Sequence, residues 1–192
     1  MKVRFLVLLA GIGAAAVACA DPLATTATLA TIDDTAAVYA LTGAPESGPT
    51  AINVTFPRAV IATPGENYDV VFDIRHDSAF AYPPHAIGAI LTAGLQLSTE
   101  SFDAITQAPT SGYNDTLPVF IQAGSVLLVQ STSSQCATQT VAARTFIYAK
   151  IVIDSIFYDE AAAPHIPRTI WYRLRNDPNC GFISFADGIP TS

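Results

Sequence analysis

Between residues 68 and 75 the chain alternates: Tyr68, Val70, Phe72 and Ile74 share one parity, and Asp69, Val71, Asp73 and Arg75 share the other. A two-residue period is that of a β-strand, and here it predicts one buried and one solvated face. Ile52, Val54, Phe56, Val60 and Ala62 repeat the pattern less cleanly. The break falls at Pro57, which cannot donate to a sheet ladder and so marks an edge or a bulge. Thr63-Pro64-Gly65-Glu66-Asn67 has the composition of a turn, so the two segments read as one antiparallel hairpin. Further strand-like runs are 90–97, 117–122, 125–131, 144–157, 168–175 and 181–185. Run 144–157 is rich in Ile, Val, Phe and Tyr, which suits a long strand buried on both faces, or a bent one. In 168–175, Ile170, Tyr172 and Leu174 oppose Thr169, Trp171, Arg173 and Arg175. A helical period is almost absent; one short helix is expected around 101–106. Seven or eight short strands separated by Gly and Pro predict an all-β fold, a single antiparallel β-sandwich or partly open barrel.

The N-terminus reads differently. Lys2 and Arg4 precede 13 uncharged residues, Phe5 to Val17. As a helix such a run spans about 20 Å, short of a bilayer's roughly 30 Å core, so it reads as an export signal rather than a membrane span. Ala16-Val17-Ala18-Cys19 resembles a bacterial lipobox, with Ala16 where Leu is usual; ordinary cleavage after Ala20 is the alternative. The expected organisation is a signal at 1–18, a lipidated Cys19 with an Ala/Thr-rich flexible tether to residue 36, and the sandwich at 37–192. The expected location is the bacterial outer membrane, on its periplasmic or surface face, with plain secretion as the alternative. Once Cys19 is set apart, Cys136 and Cys180 remain, 44 residues apart. In an oxidising compartment they are expected to pair, with two buried thiols as the alternative.

Composition narrows the function classes. The chain is 51% hydrophobic and 13% charged, which argues against disorder. Its formal net charge of −7 becomes −9 without Lys2 and Arg4, and lies entirely before residue 144. Nucleic-acid binding needs clustered Lys and Arg and is not expected. An acidic front half is repelled by anionic headgroups, so membrane attachment falls to the lipid. No Gly-x-Ser-x-Gly elbow, P-loop, His-Glu-x-x-His or Ser-x-x-Lys occurs, and no enzyme or catalytic residue is expected. His76-Asp77-Ser78 has the residue types of a triad, but neighbours on an extended chain point apart. Asp69, Asp73 and Asp77 read as a solvated sheet face. No metal site is assigned, although Asp77, His76 and His85 have ligand chemistry across the 77–89 loop. That loop also holds Phe80 and Tyr82, so His76, Phe80, Tyr82 and His85 are the candidate ligand-binding residues, for a small hydrophobic ligand or a protein partner. Trp171, Tyr172, Arg173 and Arg175 suggest a cation–π ladder on an outer face. His165 is the third histidine.

Four segments, in order, resemble exported β-rich lipoproteins of the HmuY-like kind. Tyr68-Asp-Val-Val-Phe-Asp73 is similar to that group's Trp-Asp-hydrophobic strand. Ser101-Phe-Asp through Ala108-Pro109 and Gly112-Tyr113 to Asp115 is similar to its Phe-Asp, Ala-Pro, Gly-Tyr segment. Tyr148-Ala-Lys150 to Ile156 is similar to its Tyr-x-Lys strand, and Thr169 to Leu174 to the strand after it. The resemblance spans about residues 68–175, with a Ser/Thr/Gln-rich loop carrying Cys136 where the family has a compact turn. It implies an all-β, lipid-anchored, non-enzymatic protein, and haem as a possible cofactor held between two histidines. In this chain haem would fall to His76 and His85. The expected function is a cell-envelope binding or structural module, with haem or metal carriage and membership of an extracellular assembly as alternatives.

Overall fold

The structure is a computed structural model that describes residues 26–132, 136, 146–158 and 168–190. The export signal, Cys19 and His165 lie outside the described residues.

Two five-stranded antiparallel sheets face each other as an open sandwich, not a closed barrel. The strands are β1 (Ile32–Tyr39), β2 (Ala51–Asn53), β3 (Arg58–Val60), β4 (Val70–Arg75), β5 (Ser78–Tyr82), β6 (Ala93–Ser98), β7 (Val119–Ile121), β8 (Val126–Thr132), β9 (Phe146–Phe157) and β10 (Thr169–Asp177). The first sheet runs β1-β10-β9-β8-β6 and the second β3-β2-β4-β5-β7. Val70, Phe72 and Ile74 of β4 meet Ala149, Ile151 and Ile153 of β9 and Ile170, Tyr172 and Leu174 of β10 in the core between the sheets. No described helix is long and apolar enough to cross a membrane.

Both outer faces are apolar too, which explains the low charge content. On β9, Tyr148, Lys150 and Val152 point away from the core. Phe102, Ile105, Ala108, Tyr113 and Phe185 cover that face. Tyr113 comes so close that a Cβ on Gly94 would sit 2.7 Å from its own, so only glycine fits at position 94. On the second sheet Val71 and Tyr82 lie beneath Ile87, Ala89 and Leu91.

Several expectations need correction. The tether does not reach residue 36. Asp33 and Asp34 made this stretch look like solvated linker, but β1 pairs along its whole length with β10, from Ile32 opposite Asn176 to Tyr39 opposite Thr169. There Asp33 accepts 2.7 Å bonds from Arg175 Nε and Nη2, and Asp34 accepts a 3.3 Å bond from the Tyr172 hydroxyl. The expected hairpin is also different: β2 lies between β3 and β4 and pairs with both, so the 63–67 turn passes over β2. Ala104 N–H bonds to the Ser101 carbonyl in a turn at 102–104, with no helix there. Run 181–185 contributes one isolated bridge, Gln107 to Ser184, in place of a strand. The cation–π ladder does not form on β10, because Tyr172 is in the core. Arg173 lies over Phe102 and bonds to Asp154, and Trp171 is half exposed. Cys136 and Cys180 form a disulfide with Cα atoms 5.5 Å apart.

Candidate binding site at one end of the sandwich

Each pair of facing strands ends at one of two poles. The first pole gathers the start of β1, the ends of β8 and β10, and the starts of β4 and β6. Two hydrogen bonds tie the sheets together there: Ser131 Oγ to Asp69 Oδ1 at 2.5 Å and Asn176 Nδ2 to the Val54 carbonyl at 2.7 Å. The second pole carries the β4–β5 turn and the crossing at residues 40–49. There Arg168 Nη1 donates to the Ile74 carbonyl at 2.8 Å.

The sequence candidates divide between the poles. His76 sits in the β4–β5 turn, exposed, at the second pole; His85 sits in the 3₁₀ turn Pro84–Ile87 after β5, exposed, at the first. Run 77–89 was expected to be a loop, but Ser78–Tyr82 is a strand paired with both β4 and β7. Five residues at strand rise separate the two histidines by about 16 Å or more. One iron between two axial imidazoles needs them on opposite sides of a single atom, and this placement does not bring them together. No group of three or more metal-ligating side chains exists among the described residues, so Asp77, His76 and His85 do not form one. Phe80 and Tyr82 do share a face, as positions two apart on a strand must. Their rings are 6.3 Å apart, Phe80 stacks edge-on to Phe120 at 5.8 Å, and Arg75 lies 5.4 Å over Tyr82.

Two depressions lie at the first pole. One, of about 210 Å³, is lined by polar groups of both sheets, among them Asn53, Thr55, Asp69, Thr92 and Ser131. The other, of about 570 Å³, runs between residues 62–68 and 87–91 and is walled by Pro64, Tyr68, Ile87, Ile90 and Leu91. Asn67, Tyr68 and Leu91 belong to both, so they form a shared wall. The larger groove has the size of a small-molecule site and a mainly apolar lining. Its only charged lining residue is Glu66, which already accepts from Arg58 Nη2 at 2.8 Å. Neither depression is lined by histidine, lysine or cysteine.

Asp69 explains how the pole is held. Alternation placed it with Asp73 on a solvated face, but Asp69 is 8% and Asp73 1% exposed. The Asp69 carboxylate accepts from the Val54 N–H at 2.7 Å, from the Thr55 N–H and from Ser131 Oγ. Burial pushes its carboxyl up from the usual range, and those donors pull it partly back. It therefore joins the two sheets beside the groove. Asp73 likewise accepts from Thr42 N–H and Oγ1 and from Arg75 Nε. Tyr68 was expected on the Val70 side, but a bend at Asp69 turns it to the outer cluster with Val71, where it becomes the groove wall. One signal in the sequence pointed to this: Val71 stands on the supposedly polar parity.

Fold and site together define a two-sheet β-sandwich with an apolar groove at one pole. Compared with protein families and with curated proteins, the chain matches none.

Proposed function

We propose that this chain is a lipid-anchored, non-catalytic binding module of the bacterial cell envelope, and that the groove between 62–68 and 87–91 receives a small apolar ligand. The observation that carries the reading is the groove itself: about 570 Å³, walled by Tyr68, Ile87, Ile90 and Leu91, with its one carboxylate already paired. Its described lining carries no His, Lys or Cys, and its one carboxylate, Glu66, is paired with Arg58, which favours holding a ligand over transforming it. The export signal and Cys19 supply the location.

The test is titration of the full-length protein with N-phenylnaphthylamine, a dye that brightens in apolar sites. Saturable enhancement is expected, weakened several-fold by Ile87→Asn and by Ile90→Asp. Ile90 is almost fully exposed, so its replacement leaves the core intact. Enhancement that does not saturate, or that both variants retain unchanged, rules the groove out.

A further inference from the structure

The first pole also presents an outer surface, around the rim of its groove. The described segments that meet there include residues 26–31, 54–57, 88–92 and 178–181, which carry no charged residue; beside them stand exposed His85 and the ion pairs Arg58–Glu66 and Arg175–Asp187. Three large apolar side chains project from these segments: Leu29 is 52%, Phe56 55% and Ile90 98% exposed. Exposed apolar groups on a surface whose acidic side chains are paired mark a contact site in a chain this acidic. The second pole exposes Leu41, Leu97 and Phe157 as well, but sets them among charged groups. It presents Glu46, His76 and Asp77, all exposed. The outer face of the first sheet carries the ion pairs Arg173–Asp154 and Arg175–Asp33.

The covalent chain says what lies against this pole. Six residues separate Cys19 from Thr26. Even fully extended, the seven steps from Cys19 to Thr26 span about 25 Å. From residue 27 the chain belongs to the sandwich: Ala27 is buried, Thr28 and Leu29 N–H both bond to Asn179 Oδ1, and Thr31 N–H bonds to the Gly188 carbonyl. The sandwich is longer than this leash, since the 12 residues of β9 run about 40 Å at strand rise. A lipid on Cys19 therefore brings the first pole to the bilayer and keeps the second away. Charge opposes this least at the first pole: the molecule has a net −9 after the signal, but there the exposed acidic side chains Asp33, Glu66 and Asp187 are each paired with an arginine.

We infer that the first pole is a bilayer-docking surface, and that Phe56 and Ile90 enter the headgroup–acyl boundary when the protein is anchored. The partner is a phospholipid surface. The inference rests on the lipid anchor at Cys19 proposed above.

The experiment uses the full chain, produced in a bacterium that processes lipoproteins and reconstituted into phosphatidylethanolamine/phosphatidylglycerol vesicles with brominated acyl chains. Trp171, the only tryptophan, is replaced by Phe. Single reporters are then introduced as Ile90→Trp, Phe56→Trp and, at the second pole, Leu41→Trp. All three positions are at least 36% exposed, so the core is unchanged. Reporters at 90 and 56 are expected to be blue-shifted and quenched several-fold more strongly than the one at 41. A chain that floats with the vesicles but shows equal quenching at 90, 56 and 41 overturns the docking surface alone. A chain that does not float with them overturns the anchor and the docking surface with it.

Discussion

His76 is strained by its own backbone. It holds φ at 54°, the only non-glycine residue with positive φ among those described. In that region the Cβ of an L-residue crowds its neighbouring carbonyl, at a cost of roughly 1–2 kcal/mol, part of which glycine returns as unfolded-state entropy. His76→Gly is therefore expected to raise stability by about 0.5–1 kcal/mol in urea unfolding. A loss instead would mean that the imidazole makes an interaction worth more than the strain. Asp177 has a different effect. Its side chain is fully buried; Oδ1 accepts from Asn179 N–H at 2.9 Å and Nδ2 at 2.7 Å, and Oδ2 has no partner among the described residues. Burial raises its pKa above the ordinary value, as it does for Asp69. The folded chain therefore retains protons that the unfolded chain has already released. That contribution to stability is full below the unfolded pKa of about 3.9 and is lost as pH rises through the folded value. Removing the charge by Asp177→Asn should make the variant's Tm rise, relative to the wild type, between about pH 4 and neutrality. A difference in Tm that stays flat with pH would show that Asp177 titrates normally.

At the scale of elements, the strands that sequence revealed are those whose neighbours agree with their pattern. β10 shows its alternation plainly because one face is core and the other carries Arg173, Arg175 and Trp171. β9 was legible as a long strand, doubly buried or bent, from its richness in Ile, Val, Phe and Tyr. β5 was hidden because Ser-Ala-Phe-Ala-Tyr is short and is bracketed by His76-Asp77 and Pro83-Pro84, which have turn chemistry. The polar face of β4 was misjudged because a carboxylate in the sequence does not show whether donors await it; here Val54, Thr55 and Ser131 supply them to Asp69. Lys150 on β9 is the same case with opposite charge. It is 4% exposed, donates to the Phe102 carbonyl at 2.6 Å and the Ile105 carbonyl at 2.9 Å, and lies 4.3 Å over the Phe102 ring. Burial, then Arg175, lowers its pKa. Lys150 thus fastens the 101–106 turn onto the outer face of the first sheet. Lys150→Met keeps the stem but leaves both carbonyls unbonded, and is expected to cost about 1–3 kcal/mol. Chymotrypsin should then cut faster at Phe102, and unchanged cleavage would show that the turn is held by its apolar contacts alone.

At the scale of the whole molecule, the Cys136–Cys180 bridge bears on how the protein lasts, and the proposed lipid on Cys19 on where it resides. The Cys136–Cys180 bridge closes a separation of 44 residues beside the first pole. A loop of that length restricts the unfolded chain by about 4 kcal/mol in the chain-entropy account. Urea unfolding with and without reductant should show a loss of that order, and a loss under about 1 kcal/mol would mean that the reduced chain keeps residual structure. Cys19→Ala should move the protein from the membrane fraction to the soluble fraction, since no described helix is suited to hold it in a bilayer. A variant that still pellets with membranes would remove the lipid from the account.

The sequence by itself determined the all-β class, most of the strands and the cysteines available to pair, because alternation and residue type are local properties that the backbone period converts directly into faces. Only the tertiary structure decided where the site lies. The groove sets Tyr68 against Ile87 and Leu91 from beyond the next hairpin, and beside it lies an aspartate whose burial is possible only because donors converge on it from both sheets. Such convergence is a property of packing, and no periodicity along the chain records it.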